Sequence, residues 1–72
     1  MEGDLQRTVG HNIRRIRAAR GLSQERLAEL LLRHRTYVGA VERGERNLSL
    51  RAVERLAADL GVDPRELLGP GA

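Results

Sequence analysis

The sequence predicts an all-α fold of five short helices around one small core, and three observations lead there. Apolar residues recur at three- and four-residue intervals, and no segment alternates with the period of two that a half-buried strand shows. Short glycine-containing breaks separate those stretches. The run Asp63-Pro64-Arg65-Glu66 places an acid at an N-cap, proline at the first helical position and an acid three residues on, a strong helix-start signal.

The first helix spans about Gln6 to Arg20. Leu5, Val9, Ile13 and Ile16 share one face, with Asn12 and Ala19 beside them, and Gly21 is its stop. The second spans about Gln24 to Leu31, with Ser23 as N-cap and Leu27, Ala28, Leu30 and Leu31 on its core side. The third spans about Arg35 to Arg43, with Val38 and Val41 facing inward and Gly44 after it. The fourth spans Leu50 to Leu60 between Ser49 and Gly61, with Val53, Leu56, Ala57 and Leu60 in a stripe. The fifth spans Pro64 to Leu68 and stops at Gly69-Pro70-Gly71. The whole, residues 1–72, reads as one domain without repeat or linker.

Size and composition narrow the function. A chain of 72 residues buries little of its surface, and pairing is a common remedy. There is no cysteine, hence no disulfide framework and no thiolate metal site. The longest apolar run, Leu30-Leu31-Leu32, is far below the roughly 20 residues of a membrane span. The start of the chain, with Glu2 and Asp4, does not read as a signal peptide. The expected place is the cytoplasm, in association with the nucleoid, with no membrane partner.

All 13 basic residues are arginine, whose planar fork of donors suits phosphates and guanine edges. Charge is unevenly spread. Residues 1–32 carry a net +2, residues 33–51 a net +3 and residues 52–72 a net −2. A basic middle raises the prospect of a polyanionic partner, although charge runs are also ordinary solvated faces.

The second and third helices are separated by only Leu32 to His34. So tight a turn makes them cross steeply, and the outer face of the third then projects as a ridge that fits the DNA major groove. That face carries Arg35, Thr36, Gly39 and Ala40, polar at its start and small in its middle. Arg35 has the geometry to pair with O6 and N7 of guanine, worth about 1–3 kcal/mol of discrimination. A cation at a helix N-terminus is otherwise electrostatically misplaced. Thr36 offers a methyl or a hydroxyl to a base.

At these residues the chain resembles a known family. Gly21-Leu22-Ser23-Gln24-Glu25-Arg26-Leu27-Ala28, Arg35-Thr36-Tyr37-Val38, Val41-Glu42-Arg43-Gly44 and Leu56-Ala57-Ala58-Asp59-Leu60-Gly61-Val62 look like the phage repressor and Cro-type, lambda-repressor-like helix-turn-helix regulators. The likeness covers roughly residues 10–68, with the helix-turn-helix at about 23–43. His34-Arg35-Thr36-Tyr37 with Glu42 to Ser49 is most similar to the controller proteins of restriction–modification systems, which are small homodimers.

The resemblance implies roles. Arg35 and Thr36 read bases. Gln24, Tyr37, Arg43, Arg46 and Asn47 hold the DNA backbone, and His34 is a cap or phosphate contact. Arg17 and Glu42 match a structural ion pair. The turn departs from the family, which has a small residue, then glycine, then an apolar residue where this chain has Leu31, Leu32 and Arg33. Leucine in a left-handed conformation costs about 1–2 kcal/mol, so either the second helix extends or the turn differs.

The remaining candidates are few. His11 and His34 lack partners at ligand spacing, so no metal is expected, and neither is a cofactor. No nucleophile–base–orienter set is visible, so no enzyme activity is expected. Leu60, Val62, Leu67 and Leu68 exceed what a short terminal helix needs and are either core or a dimer patch. Arg43 and Glu45 are candidate contacts for RNA polymerase, though no residue pattern selects that partner.

The function expected is a transcriptional regulator bound to a two-fold operator of double-stranded DNA as a homodimer. The alternative is an antitoxin or anti-regulator module whose main partner is a protein. That reading wants a capturing segment beyond the core, and only about four residues follow the fifth helix.

Overall fold

The structure, a computed structural model, describes residues 4–69. Pro70 and Gly71 of the expected C-terminal stop, and Glu2 at the other end, lie outside the described residues. Five helices follow one another: α1 (Asp4–Ala19), α2 (Gln24–Leu31), α3 (Arg35–Glu42), α4 (Leu50–Leu60) and α5 (Pro64–Leu68).

Helices α2 to α5 each start where a side chain satisfies an orphan backbone N–H group. Ser23 accepts the N–H of Arg26, and Ser49 that of Ala52, both at 3.0 Å. His34 caps α3. At α5, Asp63 accepts the N–H of Arg65 while Glu66 accepts the N–H of Asp63, the reciprocal box that the sequence predicts. α1 begins two residues earlier than expected, at Asp4, an acid in the first turn that also pairs with Arg7.

The core lies where the inner faces of all five helices meet. Val9, Ile13, Ile16, Leu27, Val38, Val41, Val53, Leu56 and Leu67 are buried there. Two expectations about it are corrected. Leu30 is 58% exposed rather than core, because Leu27, Ala28 and Leu31 already fill the inner side of α2. Leu5 is half exposed, one turn before the first buried position of α1.

Two close approaches set the frame for α3. Gly10 of α1 lies against the end of α3, where an added Cβ would stand 2.2 Å from the Val41 carbonyl oxygen. Only glycine lets the two backbones touch there. The turn from α2 into α3 contains Leu32 at φ 55°, ψ 42°, the one non-glycine residue of positive φ among those described. α2 therefore does not extend. It ends at Leu31, and Leu32 takes the left-handed position itself. The Arg33 N–H reaches the Ala28 carbonyl and the Leu32 N–H that of Glu29, which closes the helix end.

Candidate nucleic-acid interface

α2 and α3 meet across a three-residue turn, and α3 presents its N-terminal half outward. Arg35 and Thr36 are exposed, Ala40 partly so. α3 has no acid in its first turn, so nothing in that turn offsets the Arg35 charge.

His34 precedes them as N-cap. Its Nδ1 accepts the Thr36 backbone N–H at 3.2 Å and lies 2.9 Å from Thr36 Oγ1. Of the two roles open to it, capping is thus present.

Gly39 was expected on the reading face and is instead buried. Arg43, one turn further along, folds its guanidinium over it, and an added Cβ would lie 3.0 Å from Arg43 Nη1. The surface at that point is Arg43.

Tyr37 is partly buried against the core, with the Arg33 guanidinium 3.8 Å and that of Arg46 5.1 Å from its ring centroid. These cation–π contacts hold two arginines beside α3 and leave their N–H edges free to donate. Arg43 pairs with Glu45 at 2.9 Å, both more than half exposed, so that pair is worth little against a phosphate. Arg46 and Asn47 are exposed just past the helix.

Gln24, expected at a phosphate, donates its side-chain amide to Glu42 at 3.0 Å and braces α2 against α3. Glu42 also receives Arg17, as the resemblance implies. The Nε–Oε2 distance is 2.6 Å and the Nη2–Oε1 distance 3.1 Å, with the Glu42 side chain 4% exposed. The hydrogen bond to Glu42 raises the Arg17 pKa further, against the opposing effect of burial.

Of the four residues considered as core or dimer patch, Leu60 and Leu67 are buried in the core and offer no surface to a partner. Leu67 is fully enclosed between α1 and α4. Val62 and Leu68 pack against the core but keep part of their surface.

The roles of two positions escaped sequence reasoning. Gly10 is one. Asn12 is the other: fully buried on the inner face of α1, it donates its amide to the carbonyls of Leu67 at 2.9 Å and Gly69 at 2.8 Å, which ties the end of α5 to α1. An asparagine inside an apolar stripe was the available signal.

No group of His, Asp or Glu among the described residues could hold a metal ion. No helix of the described residues is long and apolar enough to cross a membrane.

Comparisons with known proteins agree with this geometry. The helix-turn-helix family model matches residues 13–67. The control protein C.BamHI of Bacillus amyloliquefaciens is 41% identical over 69 residues, covering 94% of this chain and 85% of that protein. The restriction–modification controller protein C.AhdI from Aeromonas hydrophila is 50% identical, with a TM-score of 0.75 over 86% of this chain and 94% of that one. A hypothetical transcription factor from Neisseria superposes with a TM-score of 0.84 at 45% identity, covering 93% of this chain and 77% of that one.

Proposed function

Given that the chain belongs to the helix-turn-helix family and is a DNA-binding transcriptional regulator, we propose that it is the controller of a restriction–modification system and binds a two-fold operator as a homodimer. The observation that carries this reading is the first turn of α3. An arginine and a threonine stand exposed at the start of a braced, projecting helix with no acid beside them. Base reading by Arg35 and Thr36, with Ala40 allowing close approach, accounts for all three. Arg33, Arg43, Arg46, Asn47, His34 and Tyr37 then surround the reading face and hold the backbone, as phosphate contacts fix register.

Dimensions support the dimer. The chain extends 25 Å along its longest axis. Successive major grooves on one side of DNA are about 34 Å apart, so one copy reads one half-site and a second copy the other. Val62 and Leu68, the partly exposed apolar residues at the acidic end, are the surface assigned to that pairing. Leu68→Asp is expected to yield a folded monomer that binds the operator weakly. Contact of the Arg43–Glu45 loop with RNA polymerase is a secondary proposal. It predicts that Glu45→Ala loses activation while keeping DNA affinity. The protein would act in the cytoplasm, at the nucleoid.

A second reading, a module whose main partner is a protein, draws on Leu30 and Leu32, which are 58% and 90% exposed beside the turn. Selection from random duplex DNA at physiological salt separates the two. Recovery of a palindrome with half-sites about one helical turn apart is the expected result. Recovery of no motif, with only weak salt-sensitive binding, would favour the protein partner.

A further inference from the structure

The start of α3 contains a hydrogen-bond arrangement that decides which bases Thr36 can read. Nδ1 of His34 accepts the backbone N–H of Thr36. A backbone N–H only donates, so Nδ1 holds its lone pair and the neutral ring carries its proton on Nε2. The same Nδ1 lies 2.9 Å from Thr36 Oγ1. With no proton on Nδ1, the hydroxyl is the donor in that contact, and its single proton shares the Nδ1 lone pair with the backbone N–H in a three-centre arrangement.

A threonine hydroxyl normally rotates to donate or accept as its partner requires. Here the proton is committed and only lone pairs remain. In the major groove an acceptor complements the N4 amino group of cytosine or the N6 amino group of adenine. It opposes O6 and N7 of guanine and O4 of thymine. Both side chains are exposed on the face assigned to DNA. The Nε2 proton of His34 is left as a donor suited to a phosphate oxygen, which would hold the ring in this tautomer.

We propose that His34 is a specificity-determining residue that acts through Thr36: by holding the hydroxyl proton it makes Thr36 an acceptor, selecting cytosine or adenine at one position of each half-site. This rests on the DNA-reading function above.

The test uses the selected duplex with all four bases placed in turn at each half-site position. Affinities are measured for the natural protein and for Thr36→Val, His34→Gly and His34→Asn. Glycine is well tolerated at an N-cap, and asparagine caps through an acceptor oxygen. Thr36→Val should flatten discrimination at one position, where the natural protein prefers cytosine or adenine roughly five- to tenfold, the scale of one hydrogen bond. His34→Gly should flatten the same position, beyond a uniform weakening from the lost phosphate contact, while its melting temperature and its base preferences at other positions stay near natural values. His34→Asn should keep the preference.

The proposal is overturned by a preference that survives His34→Gly, or by a guanine or thymine preference at the Thr36 position. Uniform weakening at every position with the base preferences intact, which is all that a lost cap or a lost phosphate contact would produce, overturns it as well, and so does a Thr36→Val protein with an unchanged pattern. If the natural protein discriminates at no position, the DNA-reading function itself fails and this inference falls with it.

Discussion

Arg17 closes on Glu42 from α1 to the end of α3 through two parallel hydrogen bonds, and the remaining groups of the pair are also engaged. Arg17 Nη1 donates to the Leu22 carbonyl at 2.8 Å, and Gln24 donates to Glu42 Oε1 at 3.0 Å. The carboxylate thus joins α3 to α1 and α2, and the guanidinium adds the turn after α1. Removing one partner strands a charge. With Glu42 almost fully buried and Arg17 16% exposed, Glu42→Ala should destabilise the fold by about 3 kcal/mol, the lower end for a buried pair. Denaturant midpoints check this, and a Glu42→Ala protein with the natural midpoint would refute it.

Leu32 sits left-handed and 90% exposed, so its side chain contributes little burial to offset the strain. Relief of about 1–2 kcal/mol, reduced by the greater backbone entropy of glycine, gives Leu32→Gly a net gain of about 0.5–1 kcal/mol. Thermal melting is the check. A loss of stability would mean that the exposed leucine packs on something in solution.

Asn12→Ala should cost about 2–3 kcal/mol, because the Leu67 and Gly69 carbonyls lose their donor and a cavity opens at a fully buried site. The loss should be local first. Amide hydrogen exchange in α5 should rise more than in α2 or α3.

The Asp63 carboxylate accepts from Arg65, chiefly from its guanidinium and then from its backbone N–H, which lowers its pKa to about 2. A carboxyl depressed on folding contributes stability that is complete above its unfolded value, near 4, and is lost as pH falls through about 2. Asp63→Asn keeps the cap but cannot titrate. Its stability should therefore vary less between pH 4 and pH 2 than that of the natural protein. The difference should shrink in high salt, since the Arg65 partner is exposed.

Helix identities and most boundaries were legible because each helix has its own period and its own cap: Ser23, Ser49 and Asp63 all serve where local pattern places them. What failed depended on contacts that local pattern does not encode. Three consecutive leucines leave a helical wheel undecided, and Leu30 turned outward. Gly39 falls on the outer arc of α3, but the long side chain of Arg43 folds back across it. Gly10 and Asn12 matter only through α3 and α5, which the chain brings to α1 from far along the sequence. The Arg17–Glu42 pair spans 25 residues and was reached through family resemblance, not through spacing. Leu60 and Leu67 left core and interface equally open, and only packing decides for the core.

The central claim is that the start of α3 reads bases while its surroundings hold the backbone. The most direct measurement compares the affinity of the natural protein and of Arg35→Ala for the selected duplex and for a scrambled duplex of equal composition. The account predicts that Arg35→Ala loses about 1–3 kcal/mol on the selected duplex and little on the scrambled one, so that the ratio collapses. An equal loss on both would make Arg35 a phosphate contact and contradict base reading from this helix.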